Sequence, residues 1–299
     1  MYAIGMDLGG TNIKAVAVTK EGAPLFQATE STDDDRVAWI ERIREILGRI
    51  EAEQGQPAGW IGIASPGLAA PDGSHIAWMQ GRLDAVQGLN WTEYLGAARF
   101  VPVLNDAHAA LLGEAWKGAA AGSRNVVLLT LGTGVGGGAL VDGRLLQGHI
   151  GRAGHLGHIC LNPDGPPDIV RTPGSLEDAI GECTLAARTH GRFASTEQLV
   201  QAHRNGEAEA TAIWLRSVYL LACGIVSLVN VLDPEVVILG GGIAKSGPAL
   251  FTPLERFLDQ YEWRPTGTRV RLVPAALGEF AGAFGAAYNA LNVHHEVAL

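Results

Sequence analysis

The chain has 299 residues, close to the upper limit for a single hydrophobic core, so its length favours two similar lobes with a cleft between them. Its formal net charge of −9, without a cluster of basic residues, argues against direct binding to DNA or RNA. Three cysteines without a Cys-x-x-Cys pair indicate neither a disulfide framework nor a thiolate zinc site, which fits a reducing cytoplasm. The N-terminus lacks a signal-peptide pattern, and the longest apolar stretch, 217–232, is shorter than the ~20 residues of a membrane span. We therefore expect a cytoplasmic protein that does not bind membranes.

The first predicted lobe covers residues 1–116 and opens with a hairpin rather than a βα unit. Its apolar and β-branched runs predict strands at 2–6, 13–18, 60–64 and 101–104 and helices at 39–50 and 107–115. An acidic stretch, Asp33 to Asp35, introduces the first helix. Two of the strands end at polar or glycine-containing turns, Ser65-Pro66-Gly67 and Asn105-Asp106.

The second predicted lobe covers residues 117–285, and residues 286–299 are expected to pack back onto the first lobe. A linker rich in alanine, glycine and serine, 117–125, precedes a repeat of the strand, turn and strand pattern. The pattern predicts strands at 126–131, 138–141 and 236–239 and helices at 196–203, 209–232 and 282–292. Residues 149–178 are loop-like, and a long ordered loop is more often functional than idle.

Three glycine-rich turns follow apolar runs, at residues 7–12, 131–138 and 239–242. Backbone without side chains lets N–H groups approach a polyphosphate closely. The second turn matches Gly-x-Gly-x-x-Gly, but it continues as a strand instead of opening a helix, which excludes a Rossmann site. Alanine before Lys245 excludes a P-loop. We therefore expect glycine hairpin tips that face one another from two lobes, with Asp7 either beside hydrated Mg²⁺ or capping its turn.

These motifs together resemble the ROK (repressor, open reading frame, kinase) family of sugar kinases. DLGGTNIK at 7–14 and the turn at 131–138 resemble its two phosphate motifs, 238–242 its adenosine motif, and NDAHAALLGE at 105–114 its catalytic segment. The resemblance implies an α/β, two-lobed, actin-like ATPase (ribonuclease H-like) fold that uses ATP and Mg²⁺. It further implies a homodimer that phosphorylates a hexose, with glucose first and fructose, mannose, allose or an N-acetylated hexosamine close behind.

The resemblance also implies roles for individual residues. Asp106 matches the aspartate that takes the proton from the sugar's 6-hydroxyl, although capping of the following helix would also explain it. The residues implied in sugar binding are Asn105, His155, His158, Glu177 and Gly67. The residues implied in ATP binding are Asp7, Gly9, Gly10, Thr11, Asn12, Lys14, Gly132, Thr133, Gly134, Gly240, Gly241 and Gly242, with Asp7 holding Mg²⁺ through water.

The segment 155–177, which the resemblance implies is the sugar-binding loop and which we call the sugar loop, departs from the family pattern in two places. The family's Glu-x-Gly-His becomes His155-Leu156-Gly157-His158, so an imidazole with one donor and one acceptor replaces a carboxylate that only accepts. The family's zinc-binding cysteines correspond to Asp168, Val170 and Ser175, so we expect no structural zinc. Prolines are expected to stiffen the loop instead, at positions 163, 166, 167 and 173. Glu177 either binds the sugar or belongs only to the first turn of a helix.

Two other functions stay open at this point. The altered position 155 suggests a sugar-binding pseudokinase. A sugar-responsive ROK-type regulator would share the same body, but its N-terminal helix-turn-helix has no room before the strand that begins at Tyr2. The segment from Trp78 to Trp91, with Gln80 and Arg82, either meets the sugar or forms surface packing.

Overall fold

A computed structural model describes residues 1–32, 38–79, 83–295, 297 and 299. The chain divides into two compact units: unit 1 comprises 1–124, 143–154 and 276–299, and unit 2 comprises 125–142 and 155–275. The acidic stretch Asp33 to Asp35 and the side chains of Gln80 and Arg82 lie outside the described residues.

Twelve strands and nine helices are assigned within the described ranges. The strands are β1 (Ala3–Leu8), β2 (Asn12–Val18), β3 (Pro24–Ser31), β4 (Trp60–Ser65), β5 (Leu68–Ala69), β6 (Ile76–Trp78), β7 (Val103–Asn105), β8 (Val126–Leu131), β9 (Val135–Val141), β10 (Arg144–Leu145), β11 (Val236–Gly240) and β12 (Arg271–Pro274). The helices are α1 (Ala38–Gln54), α2 (Trp91–Leu95), α3 (Asp106–Lys117), α4 (Leu176–Ile180), α5 (Leu185–Arg188), α6 (Thr196–Arg204), α7 (Ala208–Leu232), α8 (Pro248–Tyr261) and α9 (Ala281–Val293).

Unit 1 is built on a five-stranded sheet in the order β3-β2-β1-β4-β7. The β1 and β2 strands form the predicted antiparallel hairpin, whereas β1, β4 and β7 run parallel. Parallel strands bring their carboxyl ends to one edge of the sheet, which is where open α/β sheets bind ligands. That edge carries Asp7 on β1, Gly67 just after β4, Asn105 at the end of β7 and Asp106 directly after it.

Helix α9 packs so closely against this sheet and against α3 that backbone atoms of the elements approach each other directly. A Cβ atom at Gly285 would overlap the carbonyl oxygen of Ala109 on α3, and one at Gly113 would overlap that of Ala281. On the sheet, Cβ atoms at positions 5 and 62 would overlap carbonyl oxygens of α9 in the same way. The small residues of α9 are therefore a steric requirement, because only they allow the helix to reach this depth.

Unit 2 repeats the arrangement, with an antiparallel β8 and β9 hairpin and β11 and β12 running parallel to β8. The carboxyl ends of β8 and β11 are followed by the second and third glycine turns. The third turn is not a hairpin tip, so that expectation is wrong. It leads through a 3₁₀ turn, Ile243–Ser246, into α8, because the parallel pairing of β11 with β12 requires a crossover connection.

Helix α7 extends well beyond the apolar stretch at 217–232. It has 25 residues, so the expectation that this segment is too short to cross a membrane is wrong on length. Length and composition are weak evidence for a membrane span, because the core helix of a globular unit passes the same test. The side chains of Trp214, Val218, Leu221 and Ile225 are buried, whereas Val231 is 77% exposed. The helix is therefore buried along one face, and the prediction of a buried helix holds only in part.

Most of the helices and strands predicted from a regular apolar pattern are confirmed, with small changes at their ends. The predicted helix at 196–203 ends one residue later, and the predicted strand at 138–141 begins earlier, at Val135. The sequence pattern missed the strands β3, β5, β6, β10 and β12 and the helices α2, α5 and α8. Strand β3 is an edge strand whose burial alternates along its length, so it lacks the apolar run that marked the central strands.

The close packing of α9 predicts that Gly285→Ala destabilises the protein by about 3 kcal/mol, because one helix must move to admit the methyl group. The matched control is Gly48→Ala on α1, where nothing lies within 4 Å of the added Cβ. We expect that change to be neutral or to stabilise by up to about 1 kcal/mol, since alanine favours helices. Urea unfolding of the two variants measures both effects, and equal stabilities would contradict this packing.

Candidate active site

The first glycine turn connects β1 to β2 in unit 1 and positions Asp7. The Gly9 N–H donates to the carbonyl oxygen of Asn12 at 2.9 Å, and the Thr32 hydroxyl donates to the Gly9 carbonyl oxygen at 2.7 Å. Asp7 pairs directly with Lys14 across the hairpin. Opposite residues of an antiparallel pair lie on the same face, so the Lys14 ammonium is on the same side of the sheet as the Asp7 carboxylate.

The Asp7 carboxylate lies in an unfavourable environment for its charge. Burial and the charge of Asp106 raise the pKa of Asp7 to about 7, against a smaller opposing effect of Lys14. Helix α9 approaches closely, and a Cβ atom at Gly282 would lie 2.6 Å from Asp7 Oδ2. A strongly shifted carboxyl group next to a second carboxylate is typical of functional sites.

Asp106 is the first residue of α3 and remains half-exposed, whereas the nine residues after it are buried. The N-cap of the helix is Asn105, whose Oδ1 accepts from the N–H groups of Ala107 and His108 at 3.0 and 3.3 Å. The alternative in which Asp106 is the cap is therefore wrong. Its Oδ1 accepts from Ala107 N–H at 2.8 Å, and the positive end of the helix dipole favours an ionised carboxylate there.

Asn105 also links two of the strand ends in unit 1. Its Nδ2 donates to the carbonyl oxygen of Gly67 at 3.0 Å, and Gly67 has a positive φ of 100° that favours glycine. Asn105 and Gly67, both predicted to bind the sugar, are thus in direct contact. Asn105 holds its neighbour Asp106 in place through the helix cap.

The second glycine turn, in unit 2, is held by the segment that begins α4. Oε2 of Glu177 accepts from the Val135 N–H at 2.9 Å, and a Cβ at Gly134 would overlap the same oxygen. The carbonyl oxygens of Gly132 and Thr133 accept from the backbone N–H groups of residues 182 and 183 at 3.0 and 2.8 Å. Glu177, predicted as a sugar ligand or a helix residue, therefore contacts the predicted phosphate turn.

The third glycine turn lies directly against the end of β8. Gly241 has a φ of 85°, and a Cβ there would overlap the carbonyl oxygen of Leu131, the last residue of β8. Gly242 faces open space and is exposed. Two of the three predicted ATP-binding turns are thus adjacent within unit 2.

The sugar loop is held by hydrogen bonds around one buried carboxylate. Asp168 Oδ1 accepts from the N–H groups of Val170 and Thr172 at 3.0 and 2.8 Å, and Oδ2 lies 2.8 Å from His158 Nδ1. The Ser175 hydroxyl is also hydrogen-bonded to this carboxyl group. The sequence did not reveal this role of Asp168. It marked the residue only because Asp168 corresponds to one of the family's zinc-binding cysteines.

Backbone pairing closes the same loop. The carbonyl oxygen of Gly174 accepts from the N–H groups of Leu161 and Asn162 at 2.9 and 3.1 Å, and Gly174 N–H donates to Pro166 at 2.8 Å. The 3₁₀ turn that carries His158 packs on β9, since a Cβ at Gly157 would overlap the carbonyl oxygen of Val135. His155 immediately precedes this turn and is half-buried.

The described residues contain no group of three or more His, Cys, Asp or Glu side chains placed to hold a metal ion. Asp7 does fit hydrated Mg²⁺, because a carboxylate is the hard oxygen ligand that this ion prefers. The raised pKa of Asp7 next to Asp106 also marks a position where a cation would relieve repulsion.

Comparison with protein families matches residues 3–293 to the ROK family. A glucokinase from Thermotoga maritima is 34% identical over 307 aligned residues, covering 95% of each chain. An N-acetylmannosamine kinase from Escherichia coli O157:H7 is 29% identical, covering 96% of this chain and 97% of that one.

Solved structures of the same family superpose on nearly the whole chain. The ROK hexokinase from Thermus thermophilus has a TM-score of 0.84 at 32% identity, covering 99% of this chain and all of that one. The ROK glucokinase from Streptomyces griseus, in complex with glucose and AMPPNP, has a TM-score of 0.78 at 26% identity, covering 98% and 100%. The neighbours have the two-lobed actin-like ATPase fold, so the predicted fold class is confirmed.

The raised pKa of Asp7 predicts how stability depends on pH. The folded state holds the proton to about pH 7, whereas the ordinary value is 3.8, so stability is lost as pH rises between these values. Below both values the carboxyl group is protonated in either state and costs nothing. Asp7→Asn should therefore stabilise the protein at about pH 8 by on the order of 2 kcal/mol, and hardly at about pH 4.

Thermal unfolding at the two pH values, without nucleotide or divalent cations, measures this difference. The control is Glu53→Gln, which removes an exposed carboxylate from α1 in the same unit. A gain for Asp7→Asn that is equal at both pH values would contradict the electrostatic explanation.

Proposed function

Since the chain belongs to the ROK family and is an ATP-dependent sugar kinase, we propose that it phosphorylates the 6-hydroxyl group of a hexose, with Asp106 as general base. Glucose is the first choice of substrate, because glucokinases are among its most similar relatives. Fructose, mannose, allose and N-acetylated hexosamines are the alternatives, and a relative named as an N-acetylmannosamine kinase supports keeping the last class.

The observation that carries the proposal is the position of Asp106. Its carboxylate is half-exposed at the N-terminus of a helix that is otherwise buried over its first turns, and Asn105 caps that helix. Phosphoryl transfer needs mainly alignment and charge stabilisation from the protein, so one well-placed carboxylate is sufficient as base. The helix N-terminus stabilises negative charge at this position, which suits a base that must be ionised to accept a proton.

In the proposed reaction, Asp106 accepts the proton of the sugar's 6-hydroxyl group as its oxygen forms a bond to the γ-phosphorus of ATP. The bond between that phosphorus and the oxygen bridging to the β-phosphate breaks, and ADP leaves with the electron pair. When bound with the nucleotide, Mg²⁺ neutralises charge on the phosphate oxygens. Asp7 would hold this ion through water, with Lys14 on the same face of its hairpin.

The glycine turns supply the remaining contacts in this proposal. Backbone N–H groups of residues 9–12 and 132–134 would bind phosphate oxygens, and residues 240–242 would contact the adenosine. Glu177 and His158 would bind sugar hydroxyl groups, and His155 would add one donor and one acceptor. We further propose a cytoplasmic homodimer without nucleic-acid or membrane partners and without structural zinc.

The substrate is tested by a coupled assay of ADP formation with MgATP and a panel of about twenty sugars. We expect one hexose, glucose first, to give the highest kcat/KM. Phosphorylation of an N-acetylated hexosamine in preference to glucose would overturn the choice of glucose. Sugar binding in calorimetry without any turnover would instead support a pseudokinase.

The role of Asp106 is tested by Asp106→Asn, which keeps the size of the side chain and removes the base. We expect kcat to fall by about 10²–10⁴-fold while calorimetry still detects sugar binding. Glu53→Gln, an exposed change in the same unit, should retain full activity. Full turnover by Asp106→Asn would exclude Asp106 as the base.

A further inference from the structure

The contact between His158 and Asp168 determines which nitrogen of the imidazole carries a proton. Asp168 Oδ2 lies 2.8 Å from His158 Nδ1, and the Asp168 side chain has no exposed surface. A hydrogen bond at this distance needs one proton between the two atoms. It resides on the carboxyl group or on the imidazole, and the surroundings of Asp168 decide between these cases.

The surroundings of Asp168 favour its ionised form. Burial acts to raise the pKa of Asp168, but hydrogen bonds from His158, Thr172, Ser175 and Val170 outweigh it and hold that pKa below its ordinary value. An ionised carboxylate only accepts hydrogen bonds. The proton must therefore lie on Nδ1, so in the neutral form of the imidazole the lone pair is at Nε2.

His158 Nε2 is available for a ligand in this arrangement. It makes no hydrogen bond within the described part of the chain, and the His158 side chain is 23% exposed. The turn that carries His158 is fixed on β9 by the backbone approach at Gly157, so the ring is held at both its base and its Nδ1 edge.

We propose that Asp168 is a positioning residue that fixes the tautomer of His158, so that Nε2 accepts a hydrogen bond from a sugar hydroxyl group. A metal ion on Nδ1 would do the opposite: it would take the Nδ1 lone pair and leave a proton on Nε2, making it a donor. Where a metal on Nδ1 is replaced by a carboxylate, the hydrogen-bond direction offered at Nε2 is thus reversed. The identity of the ligand as a sugar rests on the proposed function.

Asp168→Asn is a sharp test because it is isosteric and its orientation is constrained. The N–H groups of Val170 and Thr172 require an acceptor, so the amide oxygen must occupy the position of Oδ1. The amide NH₂ then faces His158 Nδ1 and donates to it. The imidazole proton is forced to Nε2, and the acceptor for the sugar hydroxyl is lost.

The tautomer is read directly from a two-bond ¹H–¹⁵N correlation spectrum of ¹⁵N-labelled protein, in which His158→Gln identifies the His158 signals. We expect a protonated Nδ1 in the wild type and a protonated Nε2 in Asp168→Asn. We also expect the KM for the best sugar of the panel to rise about tenfold, the size of one lost hydrogen bond. The kcat should change less than about threefold, and the KM for ATP should not change.

The control is Asp164→Asn, which removes the same charge from an exposed position in the same loop. It should leave the His158 spectrum and both KM values unchanged. A protonated Nε2 in the wild type, or one zinc ion bound per wild-type chain, would overturn the proposal. A switched tautomer with an unchanged sugar KM would overturn the sugar contact.

The spectrum needs neither sugar nor turnover, so it separates this proposal from the proposed function. A chain that phosphorylates no hexose but shows the Nδ1 proton refutes the function and retains the tautomer assignment. If Asp168→Asn does not fold, the wild-type spectrum and zinc content still decide whether Asp168 fixes the tautomer.

Discussion

The contact of helix α9 with the unit 1 sheet and with α3 is the constraint on which the candidate site depends. The contact is made by backbone atoms, with no space for a Cβ at Gly285 or Gly113. Buried Glu114 strengthens it, because its carboxylate accepts from the N–H groups of Ala276 and Leu277 at 3.0 and 2.8 Å, just before α9. A buried carboxylate is tolerated when several donors satisfy it. The start of α3, and with it Asp106, is thereby held on the same framework as β1 and Asp7.

The same packing explains why Asp7 is electrostatically costly. Gly282 of α9 lies close to the Asp7 carboxylate and limits its contact with water, while Asp106 adds a like charge and Lys14 compensates only in part. An environment that served stability alone would not place two carboxylates together at the carboxyl edge of a sheet. Such local costs are expected at sites that bind a cation or a cationic complex, because binding removes the repulsion.

The sequence predicted the parts of the fold that depend on local pattern. The hairpins, the central parallel strands and the long helices have clear periodicity, and the order of the three glycine turns led to the ROK family. The pattern could not show which glycines serve phosphate binding and which serve packing. Gly5 and Gly285 lie in regular elements and are required by partners distant in the chain, which no local signal reveals. Edge strand β3 was missed because partial burial weakens its apolar pattern. Helix α8 has buried leucines at 250, 254 and 258, but Pro253 lies inside it, and a proline is ordinarily a signal that a helix ends.

The sugar loop shows how far the replacement of a residue type can be interpreted once its contacts are known. From the sequence, the loss of cysteines implied only that zinc ligands were missing and that prolines would stiffen the loop instead. In the fold, Asp168 gathers hydrogen bonds from two backbone N–H groups, Ser175 and His158, and so supplies the convergence that a metal would otherwise provide. The substitution is not chemically neutral, however. A metal and a carboxylate both orient an imidazole, but they leave opposite hydrogen-bonding capacity on its other nitrogen, so changes at the ligand positions of a loop can alter recognition by a histidine that is itself unchanged.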